Sequence, residues 1–387
     1  MAGWGSFSIF FPVYLCAECD ISYAQVGILV AAPLVVGIFS GTLWSLASDA
    51  IGKRKPFLVQ SAILLSLFTF AVTLVSTFEG FLFLGLLRAI ATPIPEGLIV
   101  ATLFGSSGHR TWGTAYSRLA IWGSLGWATA TTIAGILARV FDTYKVTMYF
   151  ATLLFCTAII PSLKISEAPK ETRAELPYPV RRRTDSGYLV IMREIMGNKK
   201  IETLFLFSFP LILAMNAAGK FFPIYLDSLG GSSILIGLAF AVASLLEIPI
   251  FLHVGKMSDR IGARKPLLIF SSGAYGLLYL LVALIPNPLL LFFMYISISP
   301  LAWPSFITGS TTLISEALPS DKWVTGQNLF NIWMWSIGGI FGPLIGGFIS
   351  ETLGLRITFV IASIFGVTSM ALLRWIRERN SPRDRYS

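Results

Sequence analysis

The sequence predicts an all-α polytopic membrane protein, twelve transmembrane helices arranged as two six-helix bundles. Three observations predict it. Of 387 residues, 55% are hydrophobic and only 13% are charged, against roughly 25% charged in a soluble protein. The chain therefore lacks the polar surface that a water-soluble fold needs. The apolar residues gather into twelve stretches suited to crossing about 30 Å of hydrocarbon as helices. Finally, one loop sequence occurs twice, half a chain apart. Disorder needs low hydrophobicity and a transmembrane barrel needs short alternating strands, so both classes are excluded.

In order, the spans run Ala2–Ala17, Tyr23–Ala47, Pro56–Ser76, Gly80–Gly105, Thr111–Ala138 and Val146–Leu163, then Ile201–Leu226, Ile234–Val254, Pro266–Ile285, Leu289–Leu313, Trp323–Ser350 and Ile357–Trp375. Turn residues separate them: Asp49 to Gly52 after the second, Gly230-Gly231 after the seventh, Pro286-Asn287-Pro288 after the ninth. The halves read 1–163 and 201–375, joined by a linker at 164–200 and followed by a tail at 376–387.

The net charge of +9 has a topological meaning. Loops after even-numbered spans hold Lys53, Arg54 and Lys55, then Arg110, the whole linker, Lys256, Arg260, Arg264 and Lys265, then Lys322 and the arginine-rich tail. Loops after odd-numbered spans hold only Arg139, Lys145 and Arg356. The positive-inside rule puts both termini in the cytoplasm of a cell-membrane protein, and it accounts for the basic excess without nucleic acid. The linker carries Arg181-Arg182-Arg183 and an apolar-basic stretch from Tyr188 to Met196, which reads as an amphipathic helix on the inner leaflet with the arginines beside membrane lipid, the favoured alternative being a solvated linker that simply obeys the positive-inside rule.

The repeat is the strongest signal. Ser48-Asp49-Ala50-Ile51-Gly52-Lys53-Arg54-Lys55-Pro56 matches Ser258-Asp259-Arg260-Ile261-Gly262-Ala263-Arg264-Lys265-Pro266 at seven of nine positions, offset by 210. The register persists: Phe11 to Leu15 answers Phe222 to Leu226, and Trp112, Thr114 and Trp122 answer Trp323, Thr325 and Trp333. Two parallel halves are a transporter architecture. Against its repeat partner the first span is shorter by about ten residues, thin for a full crossing, so the native start is expected upstream of Met1.

Twelve spans, a 6+6 repeat and the loop Gly255-x-x-x-Asp259-Arg260-x-Gly262-x-Arg264-Lys265 resemble the major facilitator superfamily, and the resemblance covers essentially the whole chain. It implies that Asp49 and Asp259 latch the opposite half while the cytoplasmic side is closed. The first copy, Asp49, Gly52, Arg54 and Lys55, departs from the pattern: Ser45 replaces the leading Gly and Ala50 the first Arg. The resemblance thus implies a weaker lock there. From the residues themselves, each Asp at a helix end can accept from free N–H groups at a neighbouring helix start, and each Gly permits a tight turn.

Ionisable residues at membrane depth are costly and usually functional. Five fall well inside spans, away from their ends: Arg88, Glu96, Arg118, Lys220 and Glu247. None of these five lies in the third, sixth, ninth or twelfth span, which the resemblance implies face lipid while the others line a central cavity. Glu96 follows Pro93 and Pro95, and Glu247 precedes Pro249; both are candidate proton carriers. Arg88 lies about 80° round and roughly 12 Å along the helix from Glu96 and matches an arginine that the family carries in this span. Lys220, near Asn216, is placed to meet an anionic group on a solute, and Arg118 to snorkel to the interface. The alternative is a set of static pairs, Arg88 with Glu96 and Lys220 with Glu247. Tyr14, Tyr225, Trp122, Trp303, Trp333, Gln327, Asn328 and Asn331 lie in cavity-type spans, where stacking and hydrogen bonds can hold a solute. The glycines from Gly338 to Gly347 permit close helix packing in the eleventh span.

The expected function is secondary transport of a small organic solute by alternating access, coupled to protons, in a monomer, with symport or antiport left open. No phosphate-binding loop of the Gly-x-x-x-x-Gly-Lys-Ser/Thr type occurs, and Cys16 and Cys19 lack a second ligand pair. No cofactor or metal is expected. A polytopic membrane enzyme would need a catalytic cluster, yet the acidic residues of the outer loops are scattered singly. A non-transporting receptor in a transporter fold is the other alternative.

Overall fold

The computed structural model describes residues 1–51, 53–92, 112–165, 192–261, 264–319 and 322–374. Every regular element among them is helical. The first series is α1 (Ala2–Glu18), α2 (Tyr23–Ile51), α3 (Lys55–Val72), α4 (Phe78–Ala91), α5 (Trp112–Phe141) and α6 (Lys145–Lys164). The second is α7 (Lys199–Ser228), α8 (Ser233–Ile261), α9 (Lys265–Leu284), α10 (Pro288–Ala317), α11 (Trp323–Asn331, a π-helical stretch Ile332–Ile337, then Gly338–Leu353) and α12 (Leu355–Leu373). Among the described residues, ten helices are long and apolar enough to cross a membrane. The remaining two are α1, at 17 residues, and α4, whose 14 described residues cover only the start of its expected span.

Local chemistry explains where these helices begin. The Asn287 side chain accepts from the N–H groups of Leu289 and Leu290 at 3.1 Å, and Pro288 opens α10 without wasting a donor. Asn198 caps α7 through the Lys200 N–H at 3.0 Å, and Thr77 caps α4 through the Gly80 N–H at 3.3 Å. Prolines sit in the first turn of α3 and α9, directly after the repeated loop. Positive φ values mark two of the tight connections, Gly230 at 79° and Gly354 at 92°.

Contact clustering gives two compact units, Met1–Ile21 with Leu29–Arg183, and Ser22–Ile28 with Thr184–Ser387. In the first, α1 packs on α5 and α6, and α3 on α6. Trp4 meets Phe155 edge-on at 5.7 Å, and the Ser6 hydroxyl donates to the Thr147 carbonyl at 2.9 Å. In the second, α7 packs on α11 and α12, α8 on α10, and α9 on α10 and α12. Small residues set these separations, as expected where lipid removes the hydrophobic drive between helices. A Cβ on Gly366 would stand 2.8 Å from the Gly276 backbone, and the Ser363 hydroxyl donates to the Gly276 carbonyl at 2.8 Å.

The end of the linker is placed by packing. Residues 192–196 are helical, but Ile195 is fully buried and Glu194 pairs with Lys322. The end of the linker is docked on protein, because its apolar residue finds helix surface and its carboxylate finds a lysine.

Candidate functional site

Among the described residues, the second unit brings together the most polar side chains within its apolar helices. It begins where α7 meets the π-helical stretch of α11. A π turn loosens the regular backbone ladder, and the Asn216 amide answers it, donating to the Met334 carbonyl at 3.2 Å and the Ile212 carbonyl at 2.9 Å. The approach is close because α11 presents glycine there. A Cβ on Gly342 would lie 2.6 Å from that of Asn216, and one on Gly338 only 2.3 Å from Ile212. Trp333 strengthens the same seam: its indole N–H donates to the Phe205 carbonyl at 3.1 Å, and its ring contacts Phe205 and Phe209.

One turn beyond Asn216, Lys220 is half-buried, as is Glu247 near the middle of α8. Among the described residues neither enters an ion pair, so the static pair Lys220–Glu247 does not form. A cavity of about 90 Å³ lies among α7, α9 and α10, lined by Met215, Gly219, Phe222, Tyr275, Tyr279, Tyr295 and Ser299. Tyr295 stacks on Phe222 at 4.6 Å, and Tyr275 on Tyr279 at 5.7 Å. The Ser299 hydroxyl shares this cavity with Tyr275 and Tyr295, and Glu247 lies close enough to act electrostatically on both tyrosines.

These tyrosines and Ser299 were missed by reading charges alone. The resemblance implies that the ninth span faces lipid, yet only its Phe270, Leu277, Leu280 and Leu284 side is exposed. Its opposite face buries Ser271, Tyr275 and Tyr279. The available signal was the helical spacing of those polar residues in an apolar run.

The remaining candidates are dispersed. Gln327 is tied to the Thr311 carbonyl of α10 at 2.7 Å. Trp303 and Trp335 approach at 5.8 Å, and Asn328 and Asn331 are exposed along α11. Tyr225 is buried against Phe359 at 5.2 Å. In the first unit, the Arg88 guanidinium sits over the Trp4 ring, 5.5 Å from its centroid. Trp122 is 73% exposed on α5. Tyr14 is buried at the far end of α1, edge-on to Phe81 and beside Cys19, at a cavity of about 290 Å³ that also involves Glu18, Thr73 and Lys145. Burial, above all, pushes the Cys19 thiol up, with Tyr14 opposing it. Glu96, Gly52 and Gly262 lie outside the described residues, as do the side chains of Asp49, Arg118 and Asp259.

The second loop motif is a clasp. Arg264 donates to the Ser258 carbonyl and hydroxyl and pairs with Glu316 of α10 at 2.8 Å. Lys265 donates to the Arg374 carbonyl at the end of α12, where a cation complements the helix terminus. Arg260 points to the exterior, and a Cβ on Gly255 would meet open space. Arg54 precedes α3 in the first copy as Arg264 precedes α9, and both it and Lys55 are half-buried.

The family model described as MFS_1 like family matches residues 1–361. The chain belongs to the major facilitator superfamily. It is 25% identical to the maltose permease of Geobacillus stearothermophilus, covering 98% of this chain and 94% of that one. It is 24% identical to the multi-drug resistance efflux pump PmrA of Streptococcus pneumoniae, covering 88% and 83%. The crystal structure of the nucleoside transporter NupG superposes with a TM-score of 0.80 at 18% identity, covering 98% of this chain and 96% of that one. The protein is thus an integral multi-pass membrane transporter of the major facilitator fold, and not an enzyme.

Proposed function

We propose that this transporter moves a small organic solute by alternating access, driven by protons that bind Glu247. One observation carries the reading: Glu247 is half-buried at mid-helix, and no cation pairs with it among the described residues. An unpaired carboxylate at membrane depth is costly, and taking up a proton removes the charge. Lys220, also unpaired among the described residues, is the group to meet an anionic or strongly polar part of the solute. Asn216 and Trp333 hold α7 against α11 and keep Lys220 in place. Relatives named for maltose, drugs and nucleosides share only the handling of small organic solutes, and the substrate class is proposed at that level.

The transporter works as a monomer in the cell membrane, with both termini and the basic loops on the cytoplasmic side against anionic lipid. In the first half Glu96 is the second candidate proton carrier, and Arg88 is a candidate site residue. Asp49 and Asp259 act as latches, so Asp259→Asn should change the labelling of cavity positions.

The test is uptake by purified protein in liposomes across a panel containing maltose, nucleosides and cationic drugs. An imposed pH gradient should accelerate one of these, and Glu247→Gln should abolish that acceleration while leaving exchange at equal pH. Gradient-dependent uptake that survives in Glu247→Gln would remove Glu247 from the coupling role.

A further inference from the structure

We propose that the cavity among α7, α9 and α10 is a water-filled proton path serving Glu247, with the hydroxyls of Tyr275, Ser299 and Tyr295 as its fixed relay. The inference rests on the reading of Glu247 as the coupling carboxyl.

Size decides what the cavity holds. At about 90 Å³ it admits roughly three waters of ~30 Å³ each. Organic-solute sites run to roughly 300–1,000 Å³, so this is not where the cargo sits. Composition decides that it is wet. A buried water needs two to four polar partners, and Tyr275, Tyr279, Tyr295 and Ser299 all line the space. Phenylalanine would fill the same rotamers and stack as well on Phe222, so the phenol hydroxyls are not needed for packing.

Connectivity gives the direction. Ser299 on α10 lines the cavity together with Tyr275 on α9 and Tyr295 on its own helix, so cavity water can bridge the three hydroxyls, and Glu247 on α8 lies within electrostatic reach of both phenols. These are the titratable groups facing Glu247 from α9 and α10. The cation on α7 is Lys220, which does not pair with it among the described residues. A hydroxyl both donates and accepts. A proton entering from cavity water onto one phenol oxygen displaces that group's own proton, through bridging water, to Ser299. Ser299 passes its proton in the same way to the second phenol, and the last proton goes, directly or through one water, to the Glu247 carboxylate. Each hydroxyl ends as it began and only the carboxylate gains a proton.

The experiment needs no identified solute. Protein in liposomes is followed by infrared spectroscopy while the bath is switched from H₂O to D₂O, reading the shift of the protonated-carboxyl band that Glu247→Gln removes. A positioned proton-transfer group is worth roughly 10²–10⁴-fold. Tyr295→Phe and Ser299→Ala should therefore slow the exchange by about tenfold or more, and Ser299→Thr, which keeps the hydroxyl, should restore it. Unchanged exchange in Tyr275→Phe, Tyr295→Phe and Ser299→Ala, with the band intact, would overturn the relay and leave Glu247 standing. A spectrum in which Glu247→Gln removes no band would overturn both readings.

Discussion

Cys19 shows how a single residue's surroundings outweigh its motif. Cys16-Ala-Glu18-Cys19 has the spacing of a metal or redox pair, but Glu18 is already used. Its carboxylate accepts from the Thr143 hydroxyl at 2.8 and 3.0 Å and from the Tyr144 N–H, tying the end of α1 to the α5–α6 turn. Cys19 is half-buried beside Tyr14, and burial raises its thiol above the ordinary range. Only the thiolate reacts, so at neutral pH Cys19 should alkylate more slowly than a free thiol in solution. Its rate should keep rising above pH ~8.5, where a free cysteine is already half ionised. Maleimide kinetics against pH in a variant lacking Cys16 and Cys156 measure this; a midpoint at or below the free-thiol value would refute it. Legibility at this scale follows charge. Glu247 and Lys220 stand out of apolar runs as soon as they are read. Tyr275 and Tyr295 do not, because tyrosine is counted with the apolar residues until a structure shows its hydroxyl facing a cavity.

At the scale of elements, the helices were readable from length, proline and turn residues. The caps at Asn198 and Asn287 show why the chain breaks where it does. The π-helical stretch Ile332–Ile337 was not readable, because no proline or glycine marks it. It is tied to tertiary contacts, the Asn216 amide on the Met334 carbonyl and Trp333 on Phe205. The glycine stripe beside it was legible, and its use is specific: Gly338, Gly342 and Gly346 all face α7. Gly342 is the most constrained, since an added Cβ meets both the Asn216 Cβ at 2.6 Å and the Ala217 backbone nitrogen at 3.0 Å. Backbone cannot swing aside, so Gly342→Ala has to push α7 away from α11. Overpacking of this kind costs about 1–3 kcal/mol. Thermal unfolding in detergent should show a lowered midpoint for Gly342→Ala, whereas Gly255→Ala, where a Cβ meets open space, should leave it in place. Equal midpoints for the two would mean that the α7–α11 seam does not limit stability.

For the whole molecule, the sequence gives the repeated loop a role in topology, and the structure shows a second role in packing. Its basic residues suit a membrane surface facing the cytoplasm. In the second copy they also bind structure, Arg264 to α8 and α10 and Lys265 to the end of α12, drawing three helices of that unit to the loop. Binding structure does not cancel a topogenic role, because the orientation is set by where the charges lie relative to the spans. If the charge bias sets the orientation, every loop after an odd-numbered helix must share one side, and the linker and tail the other. Ser76 lies exposed between α3 and α4, and Ser387 closes the tail. In a cysteine-free background, Ser76→Cys in intact cells should react with a membrane-impermeant maleimide added outside. Ser387→Cys should react only after permeabilisation. The reverse pattern would invert the molecule, turn uptake into export for any measured solute, and place the Lys265 clasp on the outer face. Labelling of both from outside would refute an odd number of crossings between them, α4 to α12 being nine helices in the chain's order. Nine crossings put the two positions on opposite sides whichever way the protein faces, so this pair of labels tests the span count and the charge rule together.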